Sequence, residues 1–359
     1  ELAEKTGLTQ QTITNIVKRL LDDDIIMETS PASSSGGRKP SPLLVKSNQL
    51  FAIGIEIAVK YVRGTLLDFQ DRIIKEVKEE VPVYQNESQP LEYIFKVLDQ
   101  LLEAVPDPRK LQGIGCSIQG LVDSERGVVI YSPGLSWKQF PLRNKLAKKL
   151  SEKYEYPIYL ENDANLVALV ENLKGSLAHS NHNVTVKFDY GVGGAIVTNK
   201  QLNHGAGFTA GELGHYKAFK GEEALRCHCG SFGCLTTLAS ISGLARNAGY
   251  RLDEFKPLVQ GGDAKAVQLF NRVVEAMADL LSDVITFVNP DHVLLTGKWL
   301  DAMKDLALPL LKEKLVQSVP SFSRNFELLL LPETPNESVS AAGLVLNRFF
   351  EVPLHQHHV

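Results

Sequence analysis

The stretch GELGHYKAFKGEEALRCHCGSFGC, from Gly211 to Cys234, contains three of the four cysteines of this 359-residue chain. Cys227, Cys229 and Cys234 are spaced as C-x-C-x4-C, and the glycines between them let the backbone turn so that three thiolates can converge. Zinc prefers four nitrogen or sulfur ligands arranged as a tetrahedron. The spacing therefore predicts a zinc site with three cysteine ligands.

The fourth ligand is expected to be a histidine. His215 precedes the cysteines, and we favour it over His228, whose side chain would point away from the neighbouring cysteines. A site with one histidine and three cysteines has no open coordination position, so the predicted zinc is structural and fixes the loop that contains it. The alternative is a group of buried or redox-active cysteines without metal.

Composition and charge describe an ordinary water-soluble protein. The chain is 44% hydrophobic and 22% charged, with a net charge of −4, and its length allows two or three domains. No apolar run is long enough to span a bilayer, and no signal peptide is visible. Few cysteines, most of them clustered, favour a reducing cytoplasm over a disulfide scaffold. Any DNA-binding surface must be local.

Strands and helices alternate along most of the chain. A segment rich in Ser, Gly and Pro, Ser30 to Pro42, separates a short helical part from the remainder of the chain. Beyond this segment, runs such as LFAIGIEI (Leu50–Ile57) predict buried strands, and the apolar spacing of Ala264–Val288 predicts a long helix. The repeated β–β–β–α–β–α order predicts two α/β lobes of one plan, with helices on the faces of the sheets.

Two segments together resemble the signature of the ROK family, which comprises repressors, open reading frames and sugar kinases. One is Gly205-x-Gly207 followed by Gly211-Glu212-x-Gly214-His215 and the cysteine cluster, and the other is LENDANLVALVEN, which begins at Leu160. The resemblance covers the chain from about Leu50 onward. It implies an actin-like (sugar kinase/ribonuclease H-like) body of two lobes with a sugar in the cleft.

The resemblance also implies which residues hold the sugar. Asn162 and Asp163 would contact sugar hydroxyls, and Asp163 would be the general base of a kinase. Glu212 and His215 would contribute from the zinc-bound loop, with His215 facing zinc on one side and sugar on the other. Without the family resemblance, Asn162 and Asp163 are better explained as a helix cap.

Two pocket positions depart from the family pattern. Leu235-Thr236 follows the last cysteine where the family usually has x-Glu, and Gly134 stands where the family often has Asn. Two polar contacts to the sugar are therefore weakened or lost. A site that lacks partners for a hydroxyl discriminates strongly against it, so the ligand is expected to be smaller, differently substituted, or absent.

The loops that would cradle ATP phosphates are also altered. The family's Asp-x-Gly-x-Thr is replaced by Glu56-Ile57-Ala58-Val59-Lys60, and its Gly-Thr-Gly-x-Gly-Gly by the segment from Asp189-Tyr190 to Gly194. Lys298 occupies a third turn where Gly is common. Phosphate binding needs small residues, backbone N–H groups and a magnesium site. We therefore expect no use of ATP, no catalytic residue and no enzyme activity, and Asp163 then remains a sugar contact only.

The first 29 residues have the pattern of a helix-turn-helix. Leu2 and Ala3 begin a short helix, Gly7-Leu8 forms the turn, and Thr9 caps the next helix. An apolar stripe along that helix lies opposite a polar face that can meet base edges and phosphates. This face comprises Gln10, Gln11, Thr12, Asn15, Lys18 and Arg19. The alternative is a small amphipathic appendage that binds protein.

A wing strand and a basic segment come after the helix. Met27-Glu28-Thr29 fits the strand, and Gly36-Gly37-Arg38-Lys39-Pro40 resembles the Gly-Gly-Arg-Pro stretch of family repressors. Arg38 and Lys39 would suit a narrow minor groove, although such a composition also describes a plain linker. Over residues 1–46, six Lys and Arg are balanced by six Asp and Glu, so only a local positive stripe is predicted.

The sequence is thus interpreted as a ROK-type, sugar-responsive repressor similar to xylose repressors. Expected partners are operator DNA, a sugar or sugar-phosphate effector, and further copies of the chain in a dimer or tetramer. The expected domains are residues 1–48 for a winged helix-turn-helix whose first helix lies outside this sequence, 49–175 with 338–359 for one lobe, and 176–337 for the other. Rival interpretations are an active sugar kinase and a regulator controlled by a protein partner.

Overall fold

A computed structural model of the chain describes residues 2–29, 42–81, 84, 86–151 and 155–350. Its N-terminal part contains α1 (Leu2–Thr6), α2 (Gln10–Asp22) and the antiparallel strands β1 (Ile26–Glu28) and β2 (Leu43–Val45). Gly7 turns the chain with a φ of +69°, and the hydroxyl of Thr9 accepts the amide of Thr12 at 3.2 Å. The predicted helix-turn-helix with a wing is confirmed.

Helix α2 presents two different faces. Its apolar stripe is only partly buried, and its polar face is exposed. The exposed polar residues are Gln10, Gln11, Thr12, Asn15, Lys18 and Arg19. Arg38 and Lys39 lie outside the described residues. Contact of these eight residues with DNA stays a prediction.

The first half of the body is built on a five-stranded mixed sheet in the order β10-β6-β3-β4-β5. β3 pairs antiparallel with β4 and parallel with β6. A small three-stranded sheet and helix α4 are inserted before the edge strand β10. The elements are β3 (Phe51–Ile57), β4 (Tyr61–Asp68), β5 (Ile73–Glu80), α3 (Gln89–Leu102), β6 (Leu111–Ile118), β7 (Leu121–Asp123), β8 (Val128–Ser132), β9 (Trp137–Phe140), α4 (Leu142–Leu150), β10 (Ile158–Asn162) and α5 (Asp163–Lys174).

The second half repeats this plan in a sheet of order β13-β12-β11-β14-β15. An antiparallel meander is again followed by two strands parallel to its first strand. The two halves therefore share one plan, as predicted. The elements are β11 (His182–Phe188), β12 (Val192–Thr198), β13 (Gln201–Leu202), α6 (Ile241–Gly243), α7 (Leu252–Gln260), α8 (Ala264–Val288), β14 (His292–Thr296), α9 (Lys298–Ser318), β15 (Glu327–Leu330) and α10 (Glu337–Phe350).

Helices α5 and α10 lie between the two sheets. α10 packs on β3, β4 and β6 of the first sheet, whereas α5 packs on β11 and β12 of the second, and the two helices contact each other. Each half has its own apolar core. Cys116 and Trp299 are buried within these cores. The N-termini of α5 and α10 consequently meet at the junction of the halves. The domain boundaries proposed from the sequence stay a prediction.

Two glycines let α10 lie directly on the backbone of the first sheet. A Cβ on Gly54 of β3 would lie 1.8 Å from the carbonyl oxygen of Ser338, and one on Gly115 of β6 would lie 2.2 Å from that of Ala341. Neither contact leaves room for a methyl group. This close approach fixes the position of Glu337, the first residue of α10, at the junction between the sheets.

Replacement of Gly54 by alanine is therefore expected to destabilise the fold. The added methyl group must displace helix backbone, and such overpacking costs about 1–3 kcal/mol or more. Urea unfolding followed by circular dichroism measures the loss. The matched control is Gly191→Ala, because a Cβ there meets no atom within 4 Å. Equal stability of the two variants would contradict the close-packing account.

Candidate metal and ligand site

Four potential metal ligands converge at one point. One ligand atom from each of His215, Cys227, Cys229 and Cys234 lies within 4.8 Å of the others. The Sγ atoms of Cys229 and Cys234 are 3.8 Å apart, and Nδ1 of His215 lies 3.6 Å from Sγ of Cys227. This cluster can bind a metal ion.

From the sequence, the side chain of the competing histidine, His228, was expected to point away from the neighbouring cysteines. In the structure it does not. Its Nδ1 lies 3.8 Å from the Sγ atom of Cys227, and its ring lies edge-on to that of His215 at a centroid distance of 5.2 Å. The four-ligand group nevertheless uses His215, because only that histidine lies within 4.8 Å of all three thiols. His228 lines the rim of the cluster.

Lys217 is a part of the cluster that the sequence did not reveal. Its ammonium donates to Sγ of Cys234 at 2.9 Å and to the hydroxyl of Ser231 at 2.7 Å. A cation beside three sulfur ligands stabilises their thiolate forms. Lys217 lies two residues after His215 in the sequence. If His215 and Cys234 bind the same metal, the chain at Lys217 must pass close to Cys234, and this could have suggested the contact.

His215 connects the metal cluster to an acidic group. While its Nδ1 faces the thiols, its Nε2 lies 3.6 Å from a carboxylate oxygen of Glu212. Burial, and to a lesser extent the charge of Asp163, raises the pKa of Glu212 to about 7. The structure therefore brings Glu212, His215 and Asp163 into one neighbourhood, as the sequence motifs suggested.

Asn162 and Asp163 occupy the turn from β10 into α5. The side-chain oxygen of Asn162 accepts the amides of Ala164 and Asn165 at 2.9 and 3.1 Å, so Asn162 caps the helix. Its amide group donates to the carbonyl of Gly120 and to Oδ1 of Asp163, both at 3.0 Å. The helix-cap interpretation is thus correct for Asn162, and contact with a sugar stays a prediction for both residues.

The partner of Asp163 was missed by the sequence analysis. The ammonium of Lys187, in β11, lies 2.6 Å from Oδ2 of Asp163 and also contacts Glu337 at the start of α10. Glu337 in turn accepts the hydroxyl of Ser117 at 2.7 Å. Lys187 is 2% exposed and Glu337 4% exposed. We call Asp163, Lys187 and Glu337 the ion triad.

The ion triad shifts the protonation of its members. Burial raises the pKa of Asp163 even though Lys187 opposes the shift. Burial also opposes ionisation of Glu337, yet the contact with Lys187 leaves its pKa below the ordinary value. The two carboxylates raise the pKa of Lys187 well above its usual range, so this lysine remains charged. The triad joins the two halves of the body through one buried cation.

The altered phosphate-loop residues contact one another. Glu56 accepts Nε of Arg63 at 2.9 Å and the hydroxyl of Tyr61 at 2.5 Å. Nζ of Lys298 lies 3.3 Å from that same hydroxyl. The ammonium of Lys60 lies 5.6 Å from the ring centroid of Tyr190. The larger residues that stand at the family's small and polar positions thus contact neighbouring protein side chains at the junction of the two halves.

Gly134 and Thr236, the two departures within the pocket, each have a structural explanation. A Cβ on Gly134 would lie 2.4 Å from a methyl carbon of Val59, so the branched residue in the first loop leaves no room for Asn. Thr236 is 5% exposed, and its hydroxyl accepts the amide of Val192 at 3.3 Å. Neither residue supplies the polar sugar contact that the family's Asn or Glu would supply at its position.

His204 joins the loop after β13 to the first half. Its Nε2 lies 3.0 Å from a carboxylate oxygen of Glu161, which directly precedes Asn162. The ring of Phe208 lies 5.6 Å away. The hydrogen bond to Glu161 raises the pKa of His204. The only feature of the sequence that pointed to this contact was Gly205, which indicates a turn directly after His204.

The His204–Glu161 contact predicts a pH-dependent contribution to stability. Because the pKa of His204 is raised on folding, the contribution is fully present below the ordinary value of about 6.5 and is lost as the pH rises through the higher folded value. His204→Gln should therefore lower the unfolding midpoint more at about pH 6 than at about pH 9. The exposed His179 supplies the control, His179→Gln. If His204→Gln lowered the unfolding midpoint by the same amount at both pH values, this account would be contradicted.

Within the described residues, no helix is long and apolar enough to cross a membrane.

Comparison with known proteins places these features in a family. The family model described as "ROK family" matches residues 52–344. The xylose repressor of Bacillus spizizenii is 25% identical over 98% of this chain and 91% of its own length. A ROK family transcriptional regulator, homologous to the E. coli Mlc protein, superposes with a TM-score of 0.79 at 21% identity, covering 97% of this chain and 91% of the other. The ROK hexokinase of Thermus thermophilus gives a TM-score of 0.69 at 22% identity, covering 84% of this chain and 99% of the other.

Proposed function

The chain belongs to the ROK family, and we propose that it is a transcriptional repressor controlled by a sugar or sugar phosphate. The observation that carries the proposal is the combination of two features in one chain. An N-terminal helix-turn-helix exposes a row of polar side chains. The body retains the residues expected around a sugar, but the altered phosphate-loop residues Glu56, Lys60 and Lys298 are engaged by neighbouring side chains.

The DNA-binding part of the proposal assigns α2 to the major groove. Gln10, Gln11, Thr12 and Asn15 would read base edges, and Lys18 with Arg19 would contact phosphates. Arg38 and Lys39 would reach an adjacent minor groove. Two copies of the chain would present two such helices to paired half-sites, so we propose a homodimer or homotetramer.

The effector part of the proposal assigns Asn162, Asp163, Glu212 and His215 to the sugar. Their polar atoms come from two elements and converge near the metal cluster, and a sugar needs such convergence on a rigid frame. Effector binding would shift the protein between arrangements that differ in affinity for DNA. The proposed domains are residues 1–48, then 49–175 with 338–359, and 176–337.

The metal is proposed to be a structural zinc ion. For Zn–S bonds of about 2.3 Å in a tetrahedron, two sulfur ligands lie roughly 3.8 Å apart. The 3.8 Å between Cys229 and Cys234 matches this spacing. Bound zinc would supply no reaction step and would hold His215 beside Glu212. Its ligands would be His215, Cys227, Cys229 and Cys234.

Absence of kinase activity is part of the proposal. Both carboxylate oxygens of Asp163, which a kinase would use as general base, are already engaged, Oδ2 by the ammonium of Lys187 and Oδ1 by the amide of Asn162. One observation favours the rival kinase function. A cavity of about 1000 Å³ remains beside Tyr190, lined in part by Lys60, Arg246 and Arg251. A regulator controlled by a protein partner is the other rival.

Removal of the metal is expected to abolish the response to sugar. Without the ion, nothing holds His215 against the cysteines, so the loop that carries Glu212 loses its anchor. The purified protein should contain about one zinc ion per chain by mass spectrometry of the elements. Chelation, or the variant Cys229→Ser, should remove both the zinc and the sugar response, whereas Cys116→Ser should remove neither. An intact sugar response in the metal-free protein would refute this role.

A mobility-shift assay tests the proposed function. A duplex is first selected by the protein from a random library, and binding is then repeated with D-xylose, D-glucose or N-acetyl-D-glucosamine, with and without Mg-ATP. One sugar should change the affinity for DNA independently of ATP. Asn15→Ala should lower that affinity by about 1–3 kcal/mol, whereas Lys265→Ala, at an exposed position of α8 in the second half, should not. Failure to select any sequence, or a response that requires ATP, would reject the proposal.

A further inference from the structure

The surroundings of Asp163 are acidic. Glu212 lies close enough for the charge of Asp163 to raise its pKa, and Glu337 shares Lys187 with Asp163. The charge of Asp189 also acts on Asp163. Asp163 and Glu337 share one buried lysine, and Glu212 lies beside His215. Two carboxylates for one cation leave the ion triad with a net negative charge.

Three cations near the proposed sugar site are already engaged. Lys187 is held between the two carboxylates of the ion triad and is 2% exposed. Arg63 is paired with Glu56, and Lys217 donates to Cys234 and Ser231 on the side of the metal cluster. A bound phosphate would find no unpaired ammonium or guanidinium group among these residues.

Backbone amides, the other usual ligands of phosphate, are also occupied. The N-terminus of α5 points its amides at the site, and helix N-termini commonly bind phosphate. The side chain of Asn162 already accepts the amides of Ala164 and Asn165. The amide of Tyr190 is accepted by its neighbour Asp189 at 2.7 Å. Each of these three amides already donates to a side-chain oxygen of the protein. A phosphate oxygen would have to displace that oxygen in order to bind.

From these contacts we infer that the effector is an uncharged sugar and that sugar phosphates are excluded from this site. The inference rests on the proposed function and narrows it, since acceptor oxygens such as those of Asp163 and Glu212 suit hydroxyl donors. A phosphoryl group placed among these carboxylates loses its hydration without gaining a cation, which is strongly unfavourable. The protein would therefore respond to a sugar in its unphosphorylated form.

Lys298, Lys60 and Arg246 are the cations that could overturn this inference. Within the described residues Lys298 forms no ion pair and contacts the hydroxyl of Tyr61. Lys60 and Arg246 line the cavity beside Tyr190, whose lining includes neither Asp163 nor Glu212. Lys60 contacts the ring of Tyr190, and within the described residues Arg246 forms no ion pair. A phosphate that bound in that cavity would depend on Arg246 rather than on the ion triad.

The test compares each neutral sugar with its own phosphates on the zinc-loaded full chain. The probes are D-glucose with glucose 1-phosphate and glucose 6-phosphate, and N-acetyl-D-glucosamine with its 6-phosphate, measured by thermal melting and calorimetry. The neutral member of one pair should bind, and its phosphates should bind at least roughly tenfold more weakly, a difference that should shrink at high salt. D-Xylose extends the neutral panel.

A charge variant separates electrostatics from shape. Glu337→Gln removes one buried negative charge that Lys187 now shares, without altering a residue proposed to touch the sugar. The discrimination, measured as the ratio of neutral-sugar to phosphate affinity within the same variant, should narrow by roughly tenfold. The matched control is Glu79→Gln, which removes a carboxylate from a surface pair with Lys96 and should leave the discrimination as in the wild type.

Each outcome decides between the two claims. A phosphate that binds as tightly as its neutral sugar, or binding that is lost in Arg246→Ala, would overturn the inference while leaving the sugar-sensor proposal intact. An unchanged discrimination in Glu337→Gln would overturn the electrostatic explanation. Absence of binding by every probe would reject the proposed sugar sensor itself, and the inference with it.

Discussion

The buried ammonium of Lys187 is the interaction on which the rest of the site depends. It contacts Asp163 at the start of α5 and Glu337 at the start of α10, while its own strand belongs to the other sheet. Loss of Lys187 would leave two buried carboxylates without a cation, and breaking a buried ion pair in this way costs about 3–5 kcal/mol. The close packing of α10 on Gly54 and Gly115 is what places Glu337 within reach. One cation therefore joins the two halves and fills the position beside the candidate base.

This constraint explains why the departures from the kinase pattern occur together. Lys187 and Asn162 engage both carboxylate oxygens of Asp163, so on the proposed function the phosphate loops no longer need small residues. Val59, Tyr190 and Lys298 then occupy the released space, and Gly134 accommodates Val59. The metal cluster is separate from this change, since its proposed role is to hold the loop that carries Glu212. On the proposed function, a cleft of the kinase type would keep its sugar contacts and lose its chemistry.

The sequence predicted the parts of this account that depend on local patterns. Alternating strands and helices indicated the repeated α/β plan, the C-x-C-x4-C spacing indicated the ligand cluster, and Thr9 indicated the start of α2. The ion triad could not be predicted, because Asp163, Lys187 and Glu337 are far apart in the chain and nothing in a strand such as NVTVKF distinguishes a buried lysine from an exposed one. Similarly, the contacts of His204 and Lys217 depend on loop paths that spacing alone does not fix. Arg38 and Lys39 lie outside the described residues, so their role rests on the sequence motif.

The central claim is that this cleft binds a sugar without transferring phosphate to it. The most direct measurement is a mass-spectrometric search for sugar phosphate after incubation of the zinc-loaded protein with Mg-ATP and each sugar that it binds. The account predicts no product above the level formed without protein, for every sugar that raises the melting temperature. A phosphorylated sugar whose formation is lost in Asp163→Asn would contradict it, because Asp163 would then be a working base despite its contact with Lys187.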